Sequence, residues 1–429
     1  KEIDRSKSAR EREFPACVGD AEAVLLFVTR DASSAWVSQV FCPSSNRHRK
    51  RCTSPSACVL HAVYACGEGV CMRCMHAVYA CGACVQRACL VLVQVHVSDF
   101  KRLALDASCL IHRGGRASAA DYLHSLPSSK WLSYPLRIVD AILNAGSTPV
   151  VVFDGAPLPM KAGTDAARAG QRQKHRRSAT ALLQEGEEDA AEKEMAAAFE
   201  VTAEMRHLFI TALKARRVEF VVAPYEADSQ LVFLVESGQC DAAVTEDSDL
   251  LAYRCPRTLY KLQESGYARL IEFADLSLAE VGGQRLFDGS WHEWEGSLFT
   301  DMCILAGCDF LEMPALGIKT AHRLIRQHRS IEGVLNVLIR AGTLDNARAE
   351  AYLEHFYRVQ LVFRHQRVWD AAAQEVRMLC RPDGPLADDD SCDTDYVGPP
   401  LPPAAGRLVS CAALDPRTLL PTALFVEER

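Results

Sequence analysis

Three short apolar runs in this chain stop on an acidic residue: Leu103-Ala-Leu-Asp106, Pro149-Val-Val-Val-Phe-Asp154 and Ala242-Ala-Val-Thr-Glu-Asp247. A fourth, Phe220-Val-Val-Ala223, comes shortly before Glu226. Runs of this length, bounded by turn-forming residues, suit strands of a parallel sheet covered on both faces. Carboxylates at their C-terminal ends would gather along one edge of the sheet, where α/β folds place their ligand sites. The pattern therefore predicts an α/β fold, a mostly parallel central sheet covered by helices.

Residues 161–217 lack strand patterning and are rich in Ala, Glu, Lys and Arg, a composition that favours helices. A first helix carries Lys161, Arg168, Arg172, Lys174, Arg176 and Arg177 against a single Asp165. A longer second helix is expected through Ala190 to Arg217, after an acidic turn around Glu185 to Asp189. Beyond Asp309, the stretch from Met313 to Ala321 opens another helical region, and the acidic, Pro-rich stretch from Pro382 to Pro403 reads as a linker.

The 429 residues leave room for two or three domains, and an apolar fraction of 49% supplies ample core. No stretch approaches the roughly 18 consecutive apolar residues of a membrane helix, and Lys1 to Glu13 is charged where a secretory signal is apolar. A net charge of -7 excludes a uniformly basic coat but not a local basic stripe. Ten of the 18 cysteines fall before residue 100, and the other eight are scattered, as reduced core residues are. In the Cys-rich part His61-Ala-Val-Tyr-Ala-Cys-Gly67 recurs as His76-Ala-Val-Tyr-Ala-Cys-Gly82. The pairs Cys71/Cys74 and Cys81/Cys84 have zinc-ligand spacing but stand only six residues apart, so repetitive sequence without a site is the preferred reading.

The chemistry lies in seven carboxylates: Asp106, Asp154, Glu226, Asp228, Asp247, Asp249 and Asp309. Any one acid after a strand is more often a helix N-cap or turn former than a ligand. Two acid-x-acid pairs, Glu226-Ala-Asp228 and Asp247-Ser-Asp249, joined to further strand-end acids and a basic helix, are hard to explain separately. An all-oxygen ligand set with no His or Cys points to Mg2+, with Mn2+ as a substitute. Seven acids exceed the needs of one ion and suit two ions about 4 Å apart on a scissile phosphate. Lys161, seven residues past Asp154, and Arg168, two helical turns further on, could meet the nonbridging oxygens. The Leu316-Gly-Ile-Lys-Thr-Ala321 segment reads as one half of a helix-hairpin-helix that offers backbone N–H groups to a DNA phosphate.

Four segments, Val152-Phe-Asp-Gly155, Ala223-Pro-Tyr-Glu-Ala-Asp-Ser-Gln-Leu231, Thr245-Glu-Asp-Ser-Asp-Leu-Leu251 and Ile304-Leu-Ala-Gly-Cys-Asp309, occur in the order of a known family. About residues 100–370 resemble the structure-specific 5′-nucleases, which include flap endonucleases, xeroderma pigmentosum G-type nucleases and exonucleases. Glu226-Ala-Asp228 and Leu158-Pro-Met-Lys161 put the likeness nearest the exonuclease branch. The resemblance implies a PIN-like nuclease core with a helical arch and a helix-two-turn-helix module. It divides the chain into an atypical segment 1–98, core residues 99–160, an arch region 161–217, further core 218–312, a duplex-binding module 313–375 and a tail 376–429.

The implied activity is Mg2+-dependent 5′→3′ degradation of double-stranded DNA from ends, nicks and gaps, with 5′-flap cleavage, in mismatch repair and end resection in the nucleus. The seven carboxylates would hold the metal, and Lys161 and Arg168 would engage the scissile phosphate. His112, Arg172, Lys174, Arg176, Arg177, Gly317, Lys319 and Thr320 would touch DNA, with K+ at the helix-two-turn-helix. Mismatch-repair partners are expected from the family, although no binding region for them is visible, and no membrane partner is expected. Ser108 and Ala162 stand where the family pattern has an aromatic residue and a second lysine, and the family's apolar opening segment is not found before Phe100. Two other readings therefore stay open: a flap or junction endonuclease of the same family, and a catalytically impaired DNA-binding homologue.

Overall fold

A computed structural model of the chain describes residues 92–124, 128–281, 284–287, 289–311, 316–380 and 395–422. The repeated heptapeptide and the pairs Cys71/Cys74 and Cys81/Cys84 lie outside these residues. Seven strands form the central sheet: β1 (Val93–His96), β2 (Arg102–Asp106), β3 (Thr148–Phe153), β4 (Glu219–Val222), β5 (Ala242–Val244), β6 (Arg257–Tyr260) and β7 (Tyr267–Glu272), in the order β1-β7-β6-β5-β2-β3-β4. The five strands from β6 to β4 are parallel, and β7 and β1 close one edge antiparallel.

Each predicted apolar run became a strand because both of its faces have a partner. Along β2 and β3, Ala104, Val150 and Val152 enter one hydrophobic cluster, while Leu103, Leu105, Val151 and Phe153 enter the other. Helices α1 (Ala107–Arg116), α3 (Ser133–Asn144) and α6 (Ala203–Ala215) line the second cluster, and α7 (Ala227–Glu236) lines the first. Side chains such as Leu103, Leu105 and Phe153, at 1% exposure or less, each contribute about 1.5–3 kcal/mol of burial.

The topology sets the location of the site. The chain lays β2, β3 and β4 outward in one direction and then returns to place β5 and β6 on the other flank of β2. Strand order thus reverses between β2 and β5, and the crevice beyond their C-terminal ends is the natural ligand position. Asp106 is the last residue of β2, Asp154 follows β3, and Asp247 follows β5 by three residues.

Short helix α2 (Ala119–Leu123) packs against α5 (Glu188–Ala197), which forms a hairpin with the 23-residue α4 (Ala162–Gln184). Of α4, only Ala179 is fully buried, so the helix stands off the body. The expected second arch helix is broken: α5 ends at Ala197, and Thr202 starts α6 by accepting a hydrogen bond from Met205 N at 3.2 Å. On the other side of the sheet, α9 (Phe299–Ala306) precedes the helical module α10 (Ile318–His328), α11 (Ile331–Arg340) and α12 (Asn346–His365). These helices correspond to the expected duplex-binding region.

Two expected boundaries differ from the structure. Strand β1 belongs to the sheet although it lies before residue 99, and its half-exposed edge position gives it a weak sequence pattern. The expected tail holds folded structure: Glu375–Met378 pairs with Arg367–Asp370, and α13 (Pro403–Ser410) packs on that hairpin and on β4. Buried Gln230 of α7 docks the hairpin, donating from Nε2 to Trp369 O at 2.9 Å and accepting from Trp369 N at 2.7 Å. Tyr225, just before Glu226, donates its hydroxyl to Pro399 O at 2.5 Å.

Gly155 is required by a close approach of two backbone segments. Its N–H donates to Tyr225 O at 2.6 Å, and a Cβ there would lie 2.0 Å from Ala223 O and 2.5 Å from Pro224 O. Gly155→Ala must push apart the loops carrying Asp154 and Glu226, and a loss of about 2–4 kcal/mol is expected in denaturant unfolding. Gly170→Ala, in open space on α4, should instead gain roughly 0.5–1 kcal/mol. Equal effects at the two positions would refute this account.

Candidate active site

Asp106 caps α1, accepting from Ser108 N at 2.8 Å and Cys109 N at 3.2 Å, and its other oxygen accepts from Thr245 Oγ1 at 2.9 Å. The Thr245 bond crosses the switch point from β5 to β2, and the same hydroxyl oxygen accepts from Asp247 N at 3.0 Å. Asp154 accepts from Ala227 N at 2.9 Å and from the Ser108 hydroxyl, so β3 is tied to the first turn of α7 and of α1. Asp247 accepts from Asp249 N at 2.9 Å, which fixes the second acid-x-acid pair on a tight turn opening α8 (Asp249–Ala252).

The two arch-base cations arrive from the opposite side. Lys161, at the foot of α4, donates to Glu226 Oε2 at 2.7 Å and lies 3.3 Å from Asp309 Oδ2. Arg168, nearly two turns along, binds Asp309 Oδ1 at 2.6 Å. Thr164 between them donates to Asp309 O at 2.6 Å. The Lys161 ammonium also sits 6.0 Å from the Phe310 ring centroid.

Burial, and after it the crowding of like charges, sets the electrostatics. Burial and the neighbouring Asp154 push Asp106 up to about 6. Asp228 stands well above the usual carboxylate range through burial and the charges of Asp247 and Asp106, as does Asp249 through burial and those of Asp247 and Asp309. Burial also raises Asp247, and raises Glu226 despite Lys161. Burial opposes the charge on Lys161, but Glu226 and Asp309 outweigh it and hold the ammonium well above the usual lysine range. The donor set is carboxylate oxygen throughout, which fits hard divalent cations, whose charge would relieve this repulsion. Among the described residues, no three Asp, Glu, His or Cys side chains already close around one point as a finished cage. Lys161, hydroxyls and backbone N–H groups hold the carboxylates instead.

The remaining sequence-selected residues lie elsewhere. Arg172 and Arg176 bind Glu200 at 3.1 and 3.0 Å, while Lys174 and Arg177 are exposed on α4. Gly317, with φ of 72°, starts α10 and has open space beside it, and Lys319 and Thr320 occupy the first turn. Residues 312–315, part of the turn expected to bind K+, lie outside the described residues. His112 packs edge-on to Phe199 at 5.5 Å.

The sequence reading missed the roles of Thr245, Thr164, Gln230 and Glu200. Thr245 and Gln230 were visible inside the motifs that carry the carboxylates. Thr164 and Glu200 had no local signal, since their partners are 145 and 24 to 28 residues away.

A mostly parallel sheet with an acidic edge at its switch point and a helical hairpin rooted beside it, basic along its first helix, defines the class, a PIN-like nuclease core. The XPG N-terminal domain matches residues 85–175 and the XPG I-region matches residues 217–309. The chain belongs to the XPG-type nuclease family, and the family match begins ahead of Phe100. It is 32% identical to exonuclease 1 of Arabidopsis thaliana over 77% of this chain and 44% of that protein. It is also 32% identical to exonuclease 1 of Danio rerio, over 66% of this chain and 35% of that protein. The chain thus spans less than half the length of these curated relatives. A solved structure, the catalytic core of Rad2 in complex with DNA substrate, aligns at a TM-score of 0.43 and 18% identity over 63% of this chain and 76% of that one.

His112 supplies a test of the electrostatics. Burial first, then Arg116, lowers its imidazole to about 4, while Asp154 acts the other way. The unfolded chain takes up this proton near pH 6.5 and the folded protein only near 4. The stability contributed is therefore complete above about pH 6.5 and lost as pH falls towards 4. Denaturant unfolding at pH 7 and pH 5 should show His112→Gln losing less stability than wild type, by on the order of 1–2 kcal/mol. An imidazole NMR signal titrating above pH 6 would contradict this placement.

Proposed function

We propose that the chain is a magnesium-dependent 5′→3′ double-stranded DNA exonuclease with 5′-flap endonuclease activity, acting in the nucleus in mismatch repair and end resection. One observation carries the reading: within the carboxylate cluster, Glu226 and Asp309 are met by Lys161 and Arg168 from the base of the arch. Membership of the XPG-type family and identity to exonuclease 1 proteins support the substrate and the polarity.

Asp106, Asp154, Glu226, Asp228, Asp247, Asp249 and Asp309 would hold the metal, some through water. Two bound Mg2+ ions, or Mn2+ in their place, would supply an activated water and stabilise the leaving oxygen. The protein's own contribution is positioning and charge. Lys161 keeps its proton at every working pH, so it serves as a fixed cation for the nonbridging oxygens and not as a general acid. Arg168 offers a second, forked donor beside it. Thr245 and Ser108 orient Asp106 and Asp154 by hydrogen bonds to their carboxylates. At α10, Gly317 leaves open space beside the helix start, where a duplex phosphate could approach.

The experiment compares wild type with Asp247→Ala on 5′-labelled nicked, flapped and blunt duplexes in Mg2+. Wild type should shorten nicked and blunt DNA from the 5′ end, and Asp247→Ala should lose at least ~100-fold in rate while still binding DNA. Binding without release of nucleotides would leave a DNA-binding homologue as the reading. A strong preference for flaps over nicks would favour the flap or junction endonuclease of the same family.

A further inference from the structure

Arg172 and Arg176 stand one helical turn apart on α4 and aim at the two oxygens of a single carboxylate, Glu200 Oε1 at 3.1 Å and Oε2 at 3.0 Å. Two guanidinium groups on two oxygens of one anion match the way a phosphodiester presents its nonbridging oxygens. The Arg172 Nε is buried and has no hydrogen-bond partner, so the clamp keeps a donor that Glu200 does not satisfy. Glu200 itself is fixed by its neighbours. Phe199 is buried beside it against His112 and Tyr122, and Thr202 caps α6 two residues on.

We propose that Glu200 is an internal substitute for a DNA phosphodiester, and that it sets how tightly the arch takes the substrate's 5′ strand. This rests on the DNA-nuclease reading above. In the free protein the carboxylate fills the two-arginine clamp, and on binding a phosphodiester displaces it. The exchange swaps one negative charge for another, so the clamp adds less to net affinity than two unoccupied arginines would, while still selecting strands that reach it. Glu200 is half-exposed and its ion pairs lie near solvent, which makes the exchange inexpensive. Glu200 is a specificity-determining residue here and touches no reacting atom.

The test is fluorescence anisotropy with a 3′-labelled duplex bearing a short single-stranded 5′ flap, in EDTA to prevent cleavage and at several salt concentrations. Glu200→Gln should bind roughly fivefold tighter than wild type at low salt, with a salt dependence steeper by up to about one unit of logarithmic slope. Arg172→Gln/Arg176→Gln should bind more weakly than wild type, and adding Glu200→Gln to it should bring no gain. Thermal unfolding of each variant reads any separate structural role. Unchanged or weaker binding by a folded Glu200→Gln overturns the inference, as does the same gain in the background lacking both arginines. Failure of wild type itself to bind the flap overturns both this inference and the DNA reading beneath it.

Discussion

The burial of several carboxylates close together is the constraint around which this site is arranged. Asp106, Asp228, Asp247 and Asp249 are all raised, by burial first and then by neighbouring carboxylates: Asp154 for Asp106, Asp247 and Asp106 for Asp228, Asp309 for Asp247, and Asp247 and Asp309 for Asp249. Such a cluster is unstable unless something rigid holds it and something positive answers it. Rigidity comes from the strand ends, where parallel register sets Asp106 opposite Val152 and leaves Asp154 just beyond. The answering charge comes from Lys161 and Arg168. Removing Lys161, the largely buried cation, would leave Glu226 uncompensated, a loss of about 3–5 kcal/mol. On the proposed reading, divalent cations would offset this local cost.

The helices carrying the acids are braced from behind. Asp228 lies in the first turn of α7, and two residues later Gln230 grips the backbone of Trp369 in both directions. Gly155 lets the Asp154 loop lie against the backbone of Ala223 and Pro224. Tyr225, pushed up to about 12 chiefly by burial, keeps its proton and remains a donor to Pro399. The segment after residue 394 therefore buttresses the Glu226 loop.

The legibility of each part follows the range of the interactions that create it. The strands ending at Asp106, Asp154 and Asp247 could be read because burial on both faces demands continuous apolar runs, and their acids stood out against them. Strand β1 could not, since an edge strand needs apolar side chains on one face only and Val93-Gln-Val-His96 is too short to show the alternation. The break at 198–202 was hidden because Ala, Glu and Met continue a good helical composition up to it, and Phe199 turns inward for tertiary reasons. The order of the tail was hidden by its acidic, Pro-rich approach, although Val409 sits in the core at 1% exposure. The seven carboxylates were legible as a set. Their hydroxyl and amide supports were not, because a hydrogen bond across 139 residues leaves no local pattern.

The arch repeats at a distance the solution found in the cleft. Lys161 and Arg168 are matched by Glu226 and Asp309, and Arg172 and Arg176 by Glu200, so four cations along one helix are each engaged by a carboxylate. With a net charge of -7, a free basic helix above an acidic cleft would be drawn into it indiscriminately, and these pairings give it a defined rest position instead. The two sets differ in burial. Lys161 and Glu226 are 15% and 13% exposed, whereas Glu200 is 45% exposed and its ion pairs are the more screened by solvent. On the proposed reading, a strand approaching along α4 would meet the exposed Glu200 before the largely buried Lys161–Glu226 pair, an order that would favour capture ahead of commitment at the acidic edge.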